Sequence, residues 1–91
     1  MELKHEVDRI YAESSEGKLL CEITFPLVRD GVRQINRTFV DDSLRGQGMA
    51  SKLVEAAAKQ LTDEKVKAAV TCSYAKEWFA RHPEYASLLS D

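Results

Sequence analysis

The 91 residues carry 13 Lys and Arg against 15 Asp and Glu, a net charge of −2, with 44% hydrophobic and 31% charged residues. Such a chain predicts one folded domain over 1–91, without the basic excess of a nucleic-acid binder. No apolar run is long enough for a membrane span and no charged-then-apolar leader is evident, so the expectation is a cytoplasmic protein with no membrane partner.

Residues 5–12, "HEVDRIYA", alternate loosely through Val7, Ile10 and Tyr11 and predict a first strand. "ESSEGK" reads as a turn, with Gly17 available for a positive backbone angle. "LLCEITFPL" sets Leu19, Cys21, Ile23 and Phe25 on one face of a second strand, and Pro26 closes it or marks an edge. "RDGV" predicts a hairpin tip at Asp30–Gly31. "VRQINRTFV" follows as a third strand, with Ile35, Arg37 and Phe39 opposing Asn36, Thr38 and Val40.

The period then changes. Met49, Ala50, Leu53, Val54, Ala57, Ala58 and Leu61 recur at three and four residues, the pattern of an amphipathic helix ended by "TDEK". Glu55 and Lys59 stand in the favourable order for a helical ion pair. "VKAAVTC" predicts a short strand buried on both faces, and "SYAKEWFARHPEY" a second helix anchored by Trp78 and Phe79 and stopped by Pro83. The tail "ASLLSD" has room for one more turn. Strand, helix, strand in succession predicts a parallel crossover. The expected fold is α/β (α+β), a mixed sheet with an antiparallel meander, then a parallel β-α-β crossover and a C-terminal helix.

Arg45, Gly46 and Gly48 stand where that first helix begins. Glycine costs about 1 kcal/mol relative to alanine inside a helix, so two of them indicate that the backbone has a task. The first N–H groups of a helix lack partners and the helix dipole makes that end partly positive. Strand, Arg-Gly-x-Gly, helix is therefore a phosphate cradle, with Lys52 one to two turns on as a further cation. The spacing excludes a P-loop, since no lysine follows the second glycine. It also excludes the GxGxxG dinucleotide fingerprint, whose third glycine is Ser51 here. Cys21 and Cys72 have no CxxC or Cys/His ligand spacing, which supports neither a disulfide framework nor a metal site.

"RGQGMA" fits the Arg/Gln-x-x-Gly-x-Gly/Ala signature of the GCN5-related N-acetyltransferases, and "FVDDSLRGQGMASKLVEAAAKQL" resembles that family's strand, turn and helix as a block. The ending "CSYAKEWFARHPEY" is similar to that of a very small, single-domain subgroup. The resemblance runs from Leu3 to about Leu89 and implies an N-acetyltransferase of reduced size, carrying acetyl from acetyl-CoA to an amine acceptor. It implies that the pyrophosphate meets the backbone of Arg45, Gly46, Gln47, Gly48, Met49 and Ala50. Phe39 and Val40 would run along the pantetheine arm, with the Val40 amide facing the thioester oxygen. A non-catalytic CoA-binding module or partner subunit is the alternative.

Two departures qualify the match. Larger members carry one or two helices between their first two strands, where this chain has only "ESSEGK". The acceptor pocket is thus open, completed by a second copy in a homodimer, or supplied by the substrate. Many members also carry an Asn, an Ala three residues on and a Tyr four beyond, and the Tyr protonates the departing thiolate. Aligned on Ala75, Cys72 takes the Asn position and Phe79 the Tyr position, and phenylalanine has no proton to give. Cys72, at the end of a strand feeding a helix, is the candidate catalytic residue, as an acyl-accepting thiolate. Its other reading is a small buried hydrophobe, the reading that also fits Cys21. His82 reads as a base or, more simply, as a cap at a helix end. His5 is expected at the surface, and Asp41 and Asp42 in turn and cap duty or beside an incoming ammonium.

Overall fold

A computed structural model describes residues 2–90. The strands are β1 (Lys4–His5), β2 (Arg9–Glu13), β3 (Leu19–Thr24), β4 (Leu27–Arg29), β5 (Val32–Ile35), β6 (Arg37–Val40) and β7 (Lys67–Val70). Helix α1 (Met49–Glu64) joins β6 to β7, and α2 (Ser73–Ala80) follows β7, with 3-10 turns at Asp42–Leu44 and Pro83–Leu88. The strands form two sheets: an antiparallel one in the order β1-β2-β3-β6 and a mixed one in the order β4-β5-β7. The antiparallel meander and the parallel pair, β5 with β7, are both present.

The expected first strand is instead a small hairpin. Glu6 N–H donates to Arg9 O at 2.8 Å, and the turn leaves Val7 64% exposed. Its loose alternation gave no continuous apolar face to bury. The second turn forms as read: Ser14 Oγ accepts the amides of Glu16 and Lys18, and Gly17 has φ 84°. Cys21, Ile23 and Phe25 are fully buried, and β3 stops at Thr24, two residues before Pro26.

The expected third strand has the right extent but is divided at Asn36. Asn36 N–H donates to Thr24 O at 3.3 Å although Thr24 already pairs with Arg37, so one residue is extra. A bulge of this kind bends the strand and shifts its faces by one. Before it, β5 stays with β4 and β7; after it, β6 crosses to β3. The shift puts Val40 against the core, while Phe39 pairs with Glu22 and carries the Arg37 guanidinium 5.3 Å from its ring.

Leu53, Val54, Ala57, Ala58 and Leu61 of α1 are fully buried against the sheets, with Ile10, Ile23, Phe25 and Ile35. Each large apolar side chain so buried contributes about 1.5–3 kcal/mol. The helix ends where Lys65 turns left-handed, φ 65°, and donates to Leu61 O and Thr62 O. β7 departs from expectation, because Lys67 is exposed and Ala68 alone in it is fully buried. The tail covers part of its edge: Ser90 N–H donates to Ala68 O at 2.8 Å. Asp91 lies outside the described residues. No helix among the described residues is long and apolar enough to cross a membrane.

Candidate functional site

β6 leaves the β5–β7 pair at Asn36, and an open cleft of about 520 Å3 lies against it. Thr38, Phe39, Val40, Asp41, Asp42, Arg45, Ala50 and Tyr74 line this cleft. It shares Val40, Arg45, Ala50 and Tyr74 with a hollow of about 200 Å3 around Gly46, Gly48, Met49 and Ser51. Beyond Ser51 and Tyr74 the surface dips again between α1 and α2, beside Trp78 and His82.

The β6 backbone turns two amides outward on this side, and one of them, Thr38 N–H, meets the Cys72 sulfur. Asp41 N–H donates to Leu20 O of β3 at 2.8 Å. Alternation along an antiparallel strand then turns the amides of Val40 and Thr38 away from β3. At the other end, Gly46 has φ 82° and Gly48 has φ 70°, angles that any side chain would strain. A Cβ at either would meet nothing within 4 Å, so it is the backbone turn, more than crowding, that demands glycine. The first bond of α1 runs from Lys52 N–H to Gly48 O, and no side chain caps Gly48. The amides of Met49, Ala50 and Ser51 therefore lie at a helix end with its positive dipole, the arrangement that takes a phosphate.

The charged groups around the turn are paired. Arg45 Nε lies 2.8 Å from Asp42 Oδ1, with both side chains well exposed. Asp41 caps the Asp42–Leu44 turn, accepting from Ser43 N at 3.1 Å and Ser43 Oγ at 2.6 Å. The Ser43 hydroxyl and amide, with help from Lys18, hold the Asp41 carboxyl below its ordinary value. Lys52 does not join the cradle. It lines a separate groove with His5, Glu55 and Lys59.

Cys72 stands at the N-cap of α2 and is half-buried, outside the residues that line the cleft. Its thiol reaches the cleft wall through Thr38, with Sγ donating to Thr38 Oγ1 at 3.5 Å. Burial pushes the Cys72 thiol up, but the Thr38 hydroxyl and the amides of Ala75, Tyr74 and Thr38 outweigh it and bring the thiol below its ordinary value. Cys21 is core, and burial raises its thiol. Phe79 is buried edge-on to Trp78, with ring centroids 5.2 Å apart. His82 is a cap: its Nδ1 lies 2.7 Å from Trp78 O and its ring stacks on the indole at 3.8 Å. Trp78 Nε1 donates to Ser51 Oγ at 2.9 Å and ties α2 to the first turn of α1.

Of the residues expected at the site, Phe39, Val40, Arg45 and Ala50 line the cleft, and Gly46, Gly48 and Met49 its extension. Gln47 is exposed on the turn and lines neither. Tyr74, which lines all three hollows, and Thr38, on the cleft, join the site in addition to the residues expected from the sequence. Tyr74's place in the first turn after a strand was the available signal. Thr38 depended on the bulge and had none.

A family model described as GCN5-related N-acetyl-transferase matches residues 9–88. The solution structure of a GCN5-like protein from Staphylococcus aureus is similar at TM-score 0.80 and 29% identity, over 98% of this chain and 87% of that one. Rv2747 from Mycobacterium tuberculosis, solved in complex with CoA, is similar at TM-score 0.64 and 22% identity, over 84% of this chain and 47% of that one. An acetyltransferase of the GNAT family from Staphylococcus aureus Mu50 gives TM-score 0.63 and 11% identity, over 81% and 50%. This chain thus spans about half the length of the last two. No curated protein matches it.

Proposed function

The chain belongs to the GCN5-related N-acetyl-transferase family, and we propose that it is a single-domain, cytoplasmic N-acetyltransferase of reduced size that moves acetyl from acetyl-CoA to an amine. The observation that carries this reading is the splay at Asn36, which opens the β6 edge onto a cleft leading to the uncapped start of α1. The complex of Rv2747 with CoA, on a related fold, supports it.

In this reading the amides from Gly46 to Ala50, with the Arg45 guanidinium, bind the pyrophosphate of the substrate. The Phe39–Val40 edge lies along the pantetheine arm. The outward Val40 amide donates to the thioester oxygen as it gains charge, and a free amine held close attacks the carbonyl carbon. Cys72 serves the chemistry from behind Thr38. Between β2 and β3 there are only residues 14–18. The acceptor side is therefore open, walled by a second copy of the chain, or supplied by the acceptor itself.

A buried phenylalanine, Phe79, at the position of the usual acid favours a second reading, a CoA-binding module without turnover. Titration of isotope-labelled protein with acetyl-CoA tests both. Amide shifts confined to Phe39–Val40, the glycine turn and Tyr74 are expected, and shifts elsewhere alone would refute the site. Acetylation of an added amine then separates enzyme from binder.

A further inference from the structure

We infer that the Thr38 hydroxyl is the proton donor at the reacting end of the cleft and that Cys72 replenishes it. The inference rests on the acetyl-transfer reading above and supplies the acid that Phe79 cannot.

Three observations carry it. Thr38 lines the cleft on β6, and Cys72 does not. While protonated, the thiol donates to Thr38 Oγ1 at 3.5 Å and leaves the hydroxyl's own proton for another acceptor; once ionised, it accepts from that hydroxyl. The bulge at Asn36 creates the pair. It frees β6 from β7 so that Thr38 stands across from the end of β7, where the amides of Thr71 and Cys72 both donate to Ile35 O. The groups facing the thiol are the Thr38 hydroxyl and amide from β6 and the Tyr74 and Ala75 amides from α2. The charged groups on the same cleft are Asp41, Asp42 and Arg45, held by Ser43 and by one another, and the Tyr74 phenol is its other titratable group.

The step balances without a further reagent. The amine nitrogen bonds to the carbonyl carbon, the C–S bond breaks, and the electron pair leaves with the CoA sulfur. That sulfur takes the proton of Thr38 Oγ1, which takes the thiol proton of Cys72 in turn. The proton shed by the new amide nitrogen passes through water to the Cys72 thiolate. A thiol more acidic than usual suits this use, since it gives its proton readily to another thiolate.

Two measurements on Thr38→Val and Thr38→Ser test the relay. One is the pH profile of Cys72 alkylation by iodoacetamide, read by peptide mass spectrometry. The other is kcat and KM for transfer from acetyl-CoA to n-butylamine. Thr38→Val should move the alkylation onset to higher pH and lower kcat at least about tenfold, with KM for acetyl-CoA unchanged. Thr38→Ser should restore both, and wild-type kcat, corrected for the free-base fraction of n-butylamine, should fall as the thiol ionises. Unchanged alkylation and kcat in Thr38→Val would overturn the relay. So would a wild-type kcat that, after the same correction, rises as the thiol ionises, which marks Cys72 as the nucleophile. If acetyl-CoA binds but n-butylamine is not acetylated, the alkylation profile decides, and a profile unmoved by Thr38→Val overturns the relay. Failure of acetyl-CoA to bind is a different result, and it removes the acetyl-transfer reading and the relay together.

Discussion

The Arg45 guanidinium is held by Asp42, with Nε 2.8 Å from Oδ1, at the mouth of the turn proposed to take a pyrophosphate. A ligand phosphate must compete with that carboxylate. Because both side chains are well exposed, the pair is weak and screened by salt. Asp42→Asn should tighten acetyl-CoA binding by no more than about fivefold, with the gain fading at high salt. Calorimetry at two salt concentrations reads both effects.

Arg33 and Glu64 clamp the end of α1 onto β5. Nε and Nη2 of a guanidinium only 8% exposed meet the two carboxylate oxygens at 2.8 and 3.1 Å. The Glu64 carboxylate, with the proximity it gives, holds the Arg33 guanidinium above its ordinary value. Glu64→Gln leaves a buried cation half-partnered and should cost about 2 kcal/mol, discounted from a fully buried pair because Glu64 is 35% exposed. Chemical denaturation of both proteins provides the difference.

Asp41 sets an acid limb to stability. Its carboxyl is more acidic in the folded chain than its ordinary value of 3.8. Its ionised form therefore stabilises the fold above that unfolded value, and the contribution is lost as pH falls through the lower folded value. Asp41→Asn should flatten stability against pH in that acid window while leaving the slope at neutral pH unchanged. Thermal melts across the window measure it.

Much of this was legible in the chain. The period of α1, the hairpin tip at Gly31 with φ 75° and the strand through Cys21 and Ile23 follow from local pattern and turn chemistry. The glycine turn was legible too, because two glycines at a helix start mark a backbone that must turn left-handed. The bulge at Asn36 was not. Nothing in "RQINRTF" marks the extra residue, which is fixed by pairing with Thr24, a residue 12 positions earlier. Everything that depends on it stayed hidden: two sheets in place of one, Val40 brought against the core, and Thr38 beside Cys72. Lys52 misled for a simpler reason. Nearness in sequence put it by the cradle, and it lines a separate groove.

Calorimetric titration with acetyl-CoA, beside Gly48→Glu and with ATP as a control, decides whether the glycine turn takes the pyrophosphate. Glutamate at φ 70° strains the turn and sets a carboxylate at the proposed pyrophosphate site, and a thermal melt verifies that the variant still folds. Micromolar binding of acetyl-CoA to the wild-type protein is expected, with loss of it in the folded variant and no binding of ATP. Absence of acetyl-CoA binding to the wild-type protein, or equal binding by the folded variant, would contradict the proposed pyrophosphate site.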